Sequence, residues 1–133
     1  MKPVVPWAVA GVAVVGLAVV LLRPAQSSGA THPAPRPGIT AAGVLPASLV
    51  PNEPGASEAY AAARRVPQVL DGLYCHCHCS KSFGHRSLLT CFESEHGARC
   101  DICMGEATLA DQMAARGASL ADIRKAIDAQ FGS

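Results

Sequence analysis

Cysteines crowd into one short stretch of this chain. All six cysteines and four of the five histidines lie between positions 75 and 103, and the densest part is the run Tyr74-Cys-His-Cys-His-Cys79. An ordinary hydrophobic core has no need of this composition. The sequence therefore predicts a thiol site that binds metal, cycles electrons or forms structural disulfides. The candidate ligands are Cys75, Cys77, Cys79, Cys91, Cys100 and Cys103, with His85 and His96.

The alternating cysteines favour an extended or looped segment. In a strand, Cys75, Cys77 and Cys79 would share one face at a spacing of about 6–7 Å, and the thiols would converge if the chain curls. In a helix, Cys77 would point away from the other two. His76 and His78 would lie on the opposite face, as ligands or as solvated side chains.

Cys100 and Cys103 form a CxxC pair where a helix is expected to start. That position places both side chains on one face and favours thiolate. The motif alone occurs in zinc sites, in thiol-disulfide exchange and in structural bridges. Together with the three alternating cysteines it predicts thiol chemistry without selecting the kind.

Metal binding is the preferred interpretation of the cluster. Soft thiolates bind Cu(I), Zn(II) and heavier thiophilic ions, and we prefer Cu(I) because it needs only two or three sulfurs. A structural zinc would pair Cys75 and Cys77 with Cys100 and Cys103, but the CxC spacing is shorter than usual. A redox-active dithiol and a set of structural disulfides stay open. Crowding favours metal, because cysteines this close together connect distant elements poorly.

The amino-terminal region is strongly apolar. Val4 to Leu22 is a run of 19 residues without a charged side chain. As a helix it is about 28 Å long, close to a hydrocarbon thickness of about 30 Å. We predict an uncleaved membrane anchor in residues 1–23, with residues 4–22 in the bilayer; a cleaved signal peptide is the alternative. We expect a cytosolic amino terminus and an extracytoplasmic carboxyl-terminal domain.

Residues 24–55 are predicted to form a disordered linker. They contain seven of the ten prolines and only two charged side chains, Arg36 and Glu53. The run His32-Pro-Ala-Pro-Arg-Pro37 is typical of polyproline II geometry. We interpret this segment as a semi-rigid spacer.

Residues 56–133 are predicted to form a small, mainly α-helical, cysteine-rich domain. Ser57 is expected to cap a first helix that Pro67 interrupts, and residues 85–92 to form a short helix. Two carboxyl-terminal helices should form a hairpin, with a stop at Gly117 and a capped start at Ser119. The last helix carries an apolar stripe of Leu120, Ile123, Ile127 and Phe131.

Charge and motifs exclude several functions. From position 57 to the end, eight basic side chains face nine acidic ones, which argues against a nucleic-acid partner. The sequence also has no phosphate-binding glycine loop, serine nucleophile elbow or dinucleotide fingerprint. These absences favour a non-enzymatic role without deciding it.

The order of these motifs resembles the CYCXC family, also called PCYCGC-motif proteins. The resemblance covers roughly residues 66–131. It differs from the family pattern at His76, where the family name has tyrosine, and in lacking a lipid-attachment cysteine. The residues that carry it are Leu73-Tyr-Cys-His-Cys-His-Cys79, Gly84-His85, Ser87-Leu88-Leu89, Cys91-Phe92, His96-Gly97-Ala98 and Cys100-Asp-Ile-Cys103.

The resemblance implies an exported bacterial protein whose sulfur is functional, since some members carry selenocysteine in place of a cysteine. With the thiol cluster, it leads us to expect a membrane-tethered protein of the cell envelope. This protein would bind Cu(I) or Zn(II) and sequester the ion or exchange it with a metal-donor or metal-acceptor protein. A thiol-disulfide redox protein and a disulfide-stapled interaction module are the alternatives.

Overall fold

The computed structural model of this chain describes residues 30–132. This part is mainly helical and contains no strand, so the predicted helical fold is confirmed. The predicted anchor at residues 4–22 lies outside the described residues, and none of the helices in the described part is long and apolar enough to cross a membrane. The α-helices are α1 (Ala56–Arg65), α2 (Pro67–Asp71), α3 (Cys79–Ser82), α4 (Asp101–Ala115) and α5 (Leu120–Phe131).

Helix α1 packs against α4, and α4 packs against α5. Short 3-10 helices fill the space between them at Ala41–Gly43, Ala47–Leu49, Leu88–Phe92 and Glu95–Arg99. Where the sequence predicts a short helix over residues 85–92, the structure has the shorter 3-10 helix Leu88–Phe92. The largest fully buried apolar side chains are Tyr60, Phe92, Leu70, Leu73, Leu88, Ile123 and Ile127.

Local signals explain most helix boundaries. Pro67 occupies the first turn of α2, where its missing N–H costs nothing. Gly117 has φ +80° after α4, and the Ala118 amide donates to the Met113 carbonyl at 3.1 Å, which closes that helix. The Ser119 hydroxyl then accepts from the Asp122 amide at 3.2 Å and starts α5 as predicted. Ser57 is not the cap of α1, because the helix already begins at Ala56.

Residues 30–55, the described part of the predicted linker, pack on the domain. Val44 is only 4% exposed, and the Leu45 amide donates to the Phe92 carbonyl at 2.8 Å. A side chain at Gly72 would meet Pro35 at 2.8 Å, so the proline-rich segment lies directly on that glycine. Prolines restrict the unfolded chain and thereby lower the entropy cost of docking it.

Asp71 connects this amino-terminal segment to the core. Its carboxylate is fully buried and lies 2.7 Å from the Arg36 guanidinium and 3.0 Å from that of Arg86. The Ser87 hydroxyl donates to it at 3.2 Å. Burial alone would raise the pKa of Asp71, but the Arg36 and Arg86 contacts outweigh it and hold that pKa below its ordinary value.

We expect Asp71→Asn to lower the free energy of unfolding by about 2–3 kcal/mol, because a buried anion is removed from two guanidinium groups that still reach solvent. The stabilisation from Asp71 is present above the ordinary aspartate pKa of about 3.9 and is lost as pH falls through the lower folded value. Urea unfolding at neutral pH and at about pH 3 measures both effects.

Asp111→Asn is the matched control. Asp111 pairs with Arg65 at 2.6 Å, but the Arg65 side chain is 55% exposed. Solvent screening should make this substitution much milder than Asp71→Asn. Equal losses from the two substitutions would contradict the role given to Asp71.

Candidate metal centre

The segment between α2 and α3 forms a tight loop, which is the looped alternative of the sequence prediction and not the extended one. The His78 amide donates to the Cys75 carbonyl at 3.3 Å, and His78 itself has φ +62°. The turn brings the Cys75 and Cys77 sulfurs within 3.3 Å of each other. Cys79 follows as the first residue of α3 and is buried.

Helix α4 supplies a third sulfur at its amino-terminal end. Cys100 is the N-cap residue, and its sulfur accepts from the Cys103 amide at 3.5 Å. The Cys103 sulfur is turned inwards, 3.4 Å from the Cys75 sulfur and 3.5 Å from that of Cys77. The helix start that the sequence predicted therefore delivers Cys103 to the cluster.

The 3-10 helix Leu88–Phe92 supplies Cys91, whose sulfur lies 3.2 Å from that of Cys79. His85 Nδ1 lies 3.3 Å from the Cys91 sulfur. The next 3-10 helix, which carries His96, packs closely here because Gly97 has no side chain. A Cβ atom at Gly97 would stand 2.9 Å from the Cys91 carbonyl oxygen.

These contacts produce three overlapping sets of possible metal ligands, in each of which all ligand atoms lie within 4.8 Å of one another. Neighbouring sulfurs of a tetrahedral zinc site are about 3.8 Å apart for a Zn–S bond of about 2.3 Å, so the observed spacing needs little adjustment. Cys100 belongs to none of the sets found among the described residues. The sets are Cys75, Cys79, Cys91 and Cys103; Cys77, Cys79, His96 and Cys103; and Cys79, His85, Cys91 and His96.

All six cysteines lie in the described part of the chain and all are free thiols. In the first set every sulfur belongs to a buried residue, whereas Cys77 is half-buried. The cluster is therefore a dry group of thiols with one member that solvent can reach.

Crowding disfavours the ionised form of these thiols. Contact with the Cys103 sulfur, burial and the nearby Glu106 carboxylate raise the pKa of Cys75. Cys103 lowers the pKa of Cys91, but contact with Cys75 and burial outweigh it, so this pKa is also raised. For Cys103, contact with Cys75 lowers the pKa, but contact with Cys91 and burial outweigh it, so this pKa is raised as well. A bound cation would offset the repulsion between thiolates, so metal binding must release protons.

His85 is suited to the neutral, metal-binding form. Burial and the neighbouring His96 lower the pKa of His85. The ring centres of His85 and His96 are 4.7 Å apart, and the ring centre of Phe83 lies 4.8 Å from that of His96. His96 Nε2 is buried and has no hydrogen-bond partner among residues 30–132.

A family model described as "Protein of unknown function with PCYCGC motif" matches residues 35–133. The chain belongs to the PCYCGC-motif family. The match extends upstream of the region that carried the resemblance, so the PCYCGC-motif region includes much of the proline-rich segment that packs on the core. No curated protein and no solved structure matches the chain.

Several residues that position the PCYCGC cysteines carried no recognised signal in the sequence. Glu106 is fully buried; it accepts from the His76 amide at 2.9 Å and lies 2.7 Å from His76 Nδ1. His32 Nδ1 accepts from the Tyr74 amide at 2.9 Å, and His32 Nε2 lies 3.0 Å from Asp128. One signal was present, because Glu106 follows Cys103 by three residues and so shares its face of α4.

Tyr60 holds the other side of the cluster. Its hydroxyl donates to the Ser94 carbonyl at 2.6 Å and accepts from the Ala98 amide at 3.2 Å. Ser94 immediately precedes the 3-10 helix Glu95–Arg99, which carries His96, and Ala98 lies within that helix. Helix α1 thereby fixes the position of one candidate ligand.

Proposed function

We propose that this PCYCGC-family protein binds a thiophilic metal ion, preferably Cu(I), and sequesters it or passes it to another protein. The observation that carries the proposal is the convergence of four buried, unbridged cysteines within 4.8 Å of one another. They come from three separate parts of the chain: the segment 75–79, which runs from the loop into the first residue of α3, the 3-10 helix Leu88–Phe92, and α4. Disulfide staples would not leave all of these sulfurs free.

The choice of Cu(I) follows from ligand type and supply. Soft thiolates select Cu(I) and Zn(II) over hard cations such as Mg²⁺. Five cysteines take part in the ligand sets, more than the two or three sulfurs that Cu(I) needs. Zn(II) is the other ion that suits a buried set of four thiolates.

Cys77 supports a role in transfer. It lies within reach of Cys79, His96 and Cys103, yet it is more exposed than the four buried cysteines. An ion can move between proteins when an incoming ligand replaces one ligand at a time. Cys77 is the natural first thiol to meet a metal-donor or metal-acceptor protein.

Thiol-disulfide exchange is the second candidate, supported by the 3.2 Å contact between the Cys79 and Cys91 sulfurs. Attack on a disulfide requires an accessible thiolate. Both cysteines are buried, and the pKa of Cys91 is raised by contact with Cys75 and by burial. These properties support metal binding more strongly than redox exchange.

The location in the cell is part of the proposal. The apolar run at residues 4–22 supports a tether in the bacterial cytoplasmic membrane. The family resemblance supports an extracytoplasmic position for the carboxyl-terminal domain. There the protein would meet metal ions that enter or leave the cell.

A competition titration tests the function. The reduced protein is titrated with Cu(I) against a coloured Cu(I) chelator, and a variant with all six cysteines changed to serine is the control. We expect the protein to take Cu(I) from the chelator and the variant to leave it there. Equal affinities for the two proteins would overturn the proposal. Native mass spectrometry and thiol alkylation, before and after mild oxidation, would reveal a redox couple instead.

A further inference from the structure

Cys79 and Cys91 occur together in two of the three ligand sets. Cys75 and Cys103 complete a set of four sulfurs, and two histidines complete a set of two sulfurs and two nitrogens. A four-coordinate ion takes four ligands, so one ion cannot use the six donors of both sets. The 3.2 Å contact between the Cys79 and Cys91 sulfurs is the edge that the two sets share.

We infer that the centre is binuclear: a second thiophilic ion binds Cys79, His85, Cys91 and His96, and both cysteine sulfurs bridge the two ions. This inference rests on the proposed metal-binding function and gives that site its stoichiometry and ligand assignment. The first ion is held by sulfur alone, and the second has mixed sulfur and nitrogen ligands.

The histidines point to a ligand that is not a protein group. His96 Nε2 is buried without a hydrogen-bond partner in the described residues, which is costly for a polar atom unless something binds it. His85 Nδ1 already lies 3.3 Å from the Cys91 sulfur. Imidazole nitrogen suits zinc and copper, so the donors of the second set match the ions proposed for the first.

Charge balance favours two ions over one. Cys75, Cys79, Cys91 and Cys103 carry four negative charges when all are thiolates, and their residues are all buried. One divalent ion would leave two of these charges uncompensated in a poorly solvated site, which is expensive. A second divalent ion with two neutral imidazoles makes the centre electrically neutral. Two Cu(I) ions would leave two negative charges instead of three.

Stoichiometry tests the inference directly. The reduced full chain, in detergent, is loaded with Zn(II) and examined by native mass spectrometry. We expect two ions per chain at saturation, and one ion in the double variant His85→Ala/His96→Ala. Retention of that one ion shows that the variant is folded. The control is His78→Asn, which changes an exposed histidine outside the ligand sets and should keep two ions.

Saturation of the unchanged protein at one ion would overturn the binuclear centre and leave the proposed function intact. Retention of two ions by the double variant would overturn the ligand assignment. Failure to bind any ion would contradict the proposed function itself. The two ideas can therefore fail separately.

The bridge has its own measurement. Co(II) replaces Zn(II) in sulfur and nitrogen sites, and two Co(II) ions that share thiolate ligands couple antiferromagnetically. We expect the magnetic moment per cobalt to be lower in the two-ion form than in the one-ion form. Equal moments in the two forms would show separate ions and overturn the bridging role of Cys79 and Cys91.

Discussion

Cys103→Ser is expected to weaken metal binding by more than about 100-fold, because even losing a group that only orients a ligand typically costs about 10–100-fold. The Cys103 sulfur lies within 3.5 Å of two other sulfurs and belongs to two of the ligand sets. A serine hydroxyl has similar size but is a hard donor that stays protonated. Competition with a chromogenic chelator measures the ratio of dissociation constants for the two proteins.

Cys100→Ser is the control for this experiment. Cys100 is the neighbouring cysteine of the same motif, but it lies in none of the ligand sets of the described residues. Its sulfur caps α4, and serine is among the best residues at an N-cap. We expect dissociation constants within about three-fold of the unchanged protein, far less than the effect of losing an orienting group. Equal losses from the two serine substitutions would contradict the separation of Cys103 from Cys100.

Metal loading is expected to raise the melting temperature of the domain by about 15–30 °C. A ligand at about 1,000 times its dissociation constant stabilises the folded state by about 4 kcal/mol, and each kcal/mol corresponds to about 4–8 °C in a domain of this size. The physical reason is that the ion connects the loop before α3, the 3-10 helix Leu88–Phe92 and α4. Calorimetry of reduced protein with and without Zn(II) gives the shift.

Three comparisons establish the origin of this stabilisation. A chelator should return the melting temperature to its metal-free value, and Mg²⁺ should leave it unchanged because thiolates bind hard cations poorly. Cys103→Ser should show a smaller Zn(II)-dependent shift than Cys100→Ser. A shift of less than about 2 °C in the unchanged protein, where linkage predicts far more, would mean that the folded state does not bind the ion.

The carboxyl-terminal hairpin was readable from the sequence because its signals are local. Ser119 and Gly117 lie next to the helices that they start and stop. Ile123 and Ile127 repeat at helical spacing, and both are fully buried. A period of this kind depends only on the helix itself, so no knowledge of the rest of the fold is needed.

The thiol cluster was only partly predictable. The density of cysteines predicted which residues form the cluster. The sequence assigned both Cys100 and Cys103 the role of metal ligand, but their positions at the start of α4 give them different roles. The Cys100 sulfur accepts the capping hydrogen bond of α4, whereas the Cys103 sulfur points into the cluster. The grouping of Cys79 with Cys91 depends on how the 3-10 helix meets α3, and no local pattern encodes that meeting.

The contacts of residues 30–55 could not be predicted from the sequence, because their partners are distant along the chain. Arg36 reaches Asp71, and His32 reaches both Tyr74 and Asp128. A segment rich in proline and poor in charge has the same composition whether it is free or docked. A docked segment differs from a free one only in having partners such as Asp71 and Asp128 within reach in the folded domain.

Because residues 30–55 dock on the domain, the folded unit begins well upstream of the first α-helix. A shortened protein that starts at Ala56, where the helices begin, would lack Arg36 and leave the buried Asp71 with one guanidinium instead of two. It would also uncover the apolar surface that Val44 and Leu45 seal. Expression work on this domain should therefore retain the chain from His32 onwards, because His32 contacts Tyr74 and Asp128.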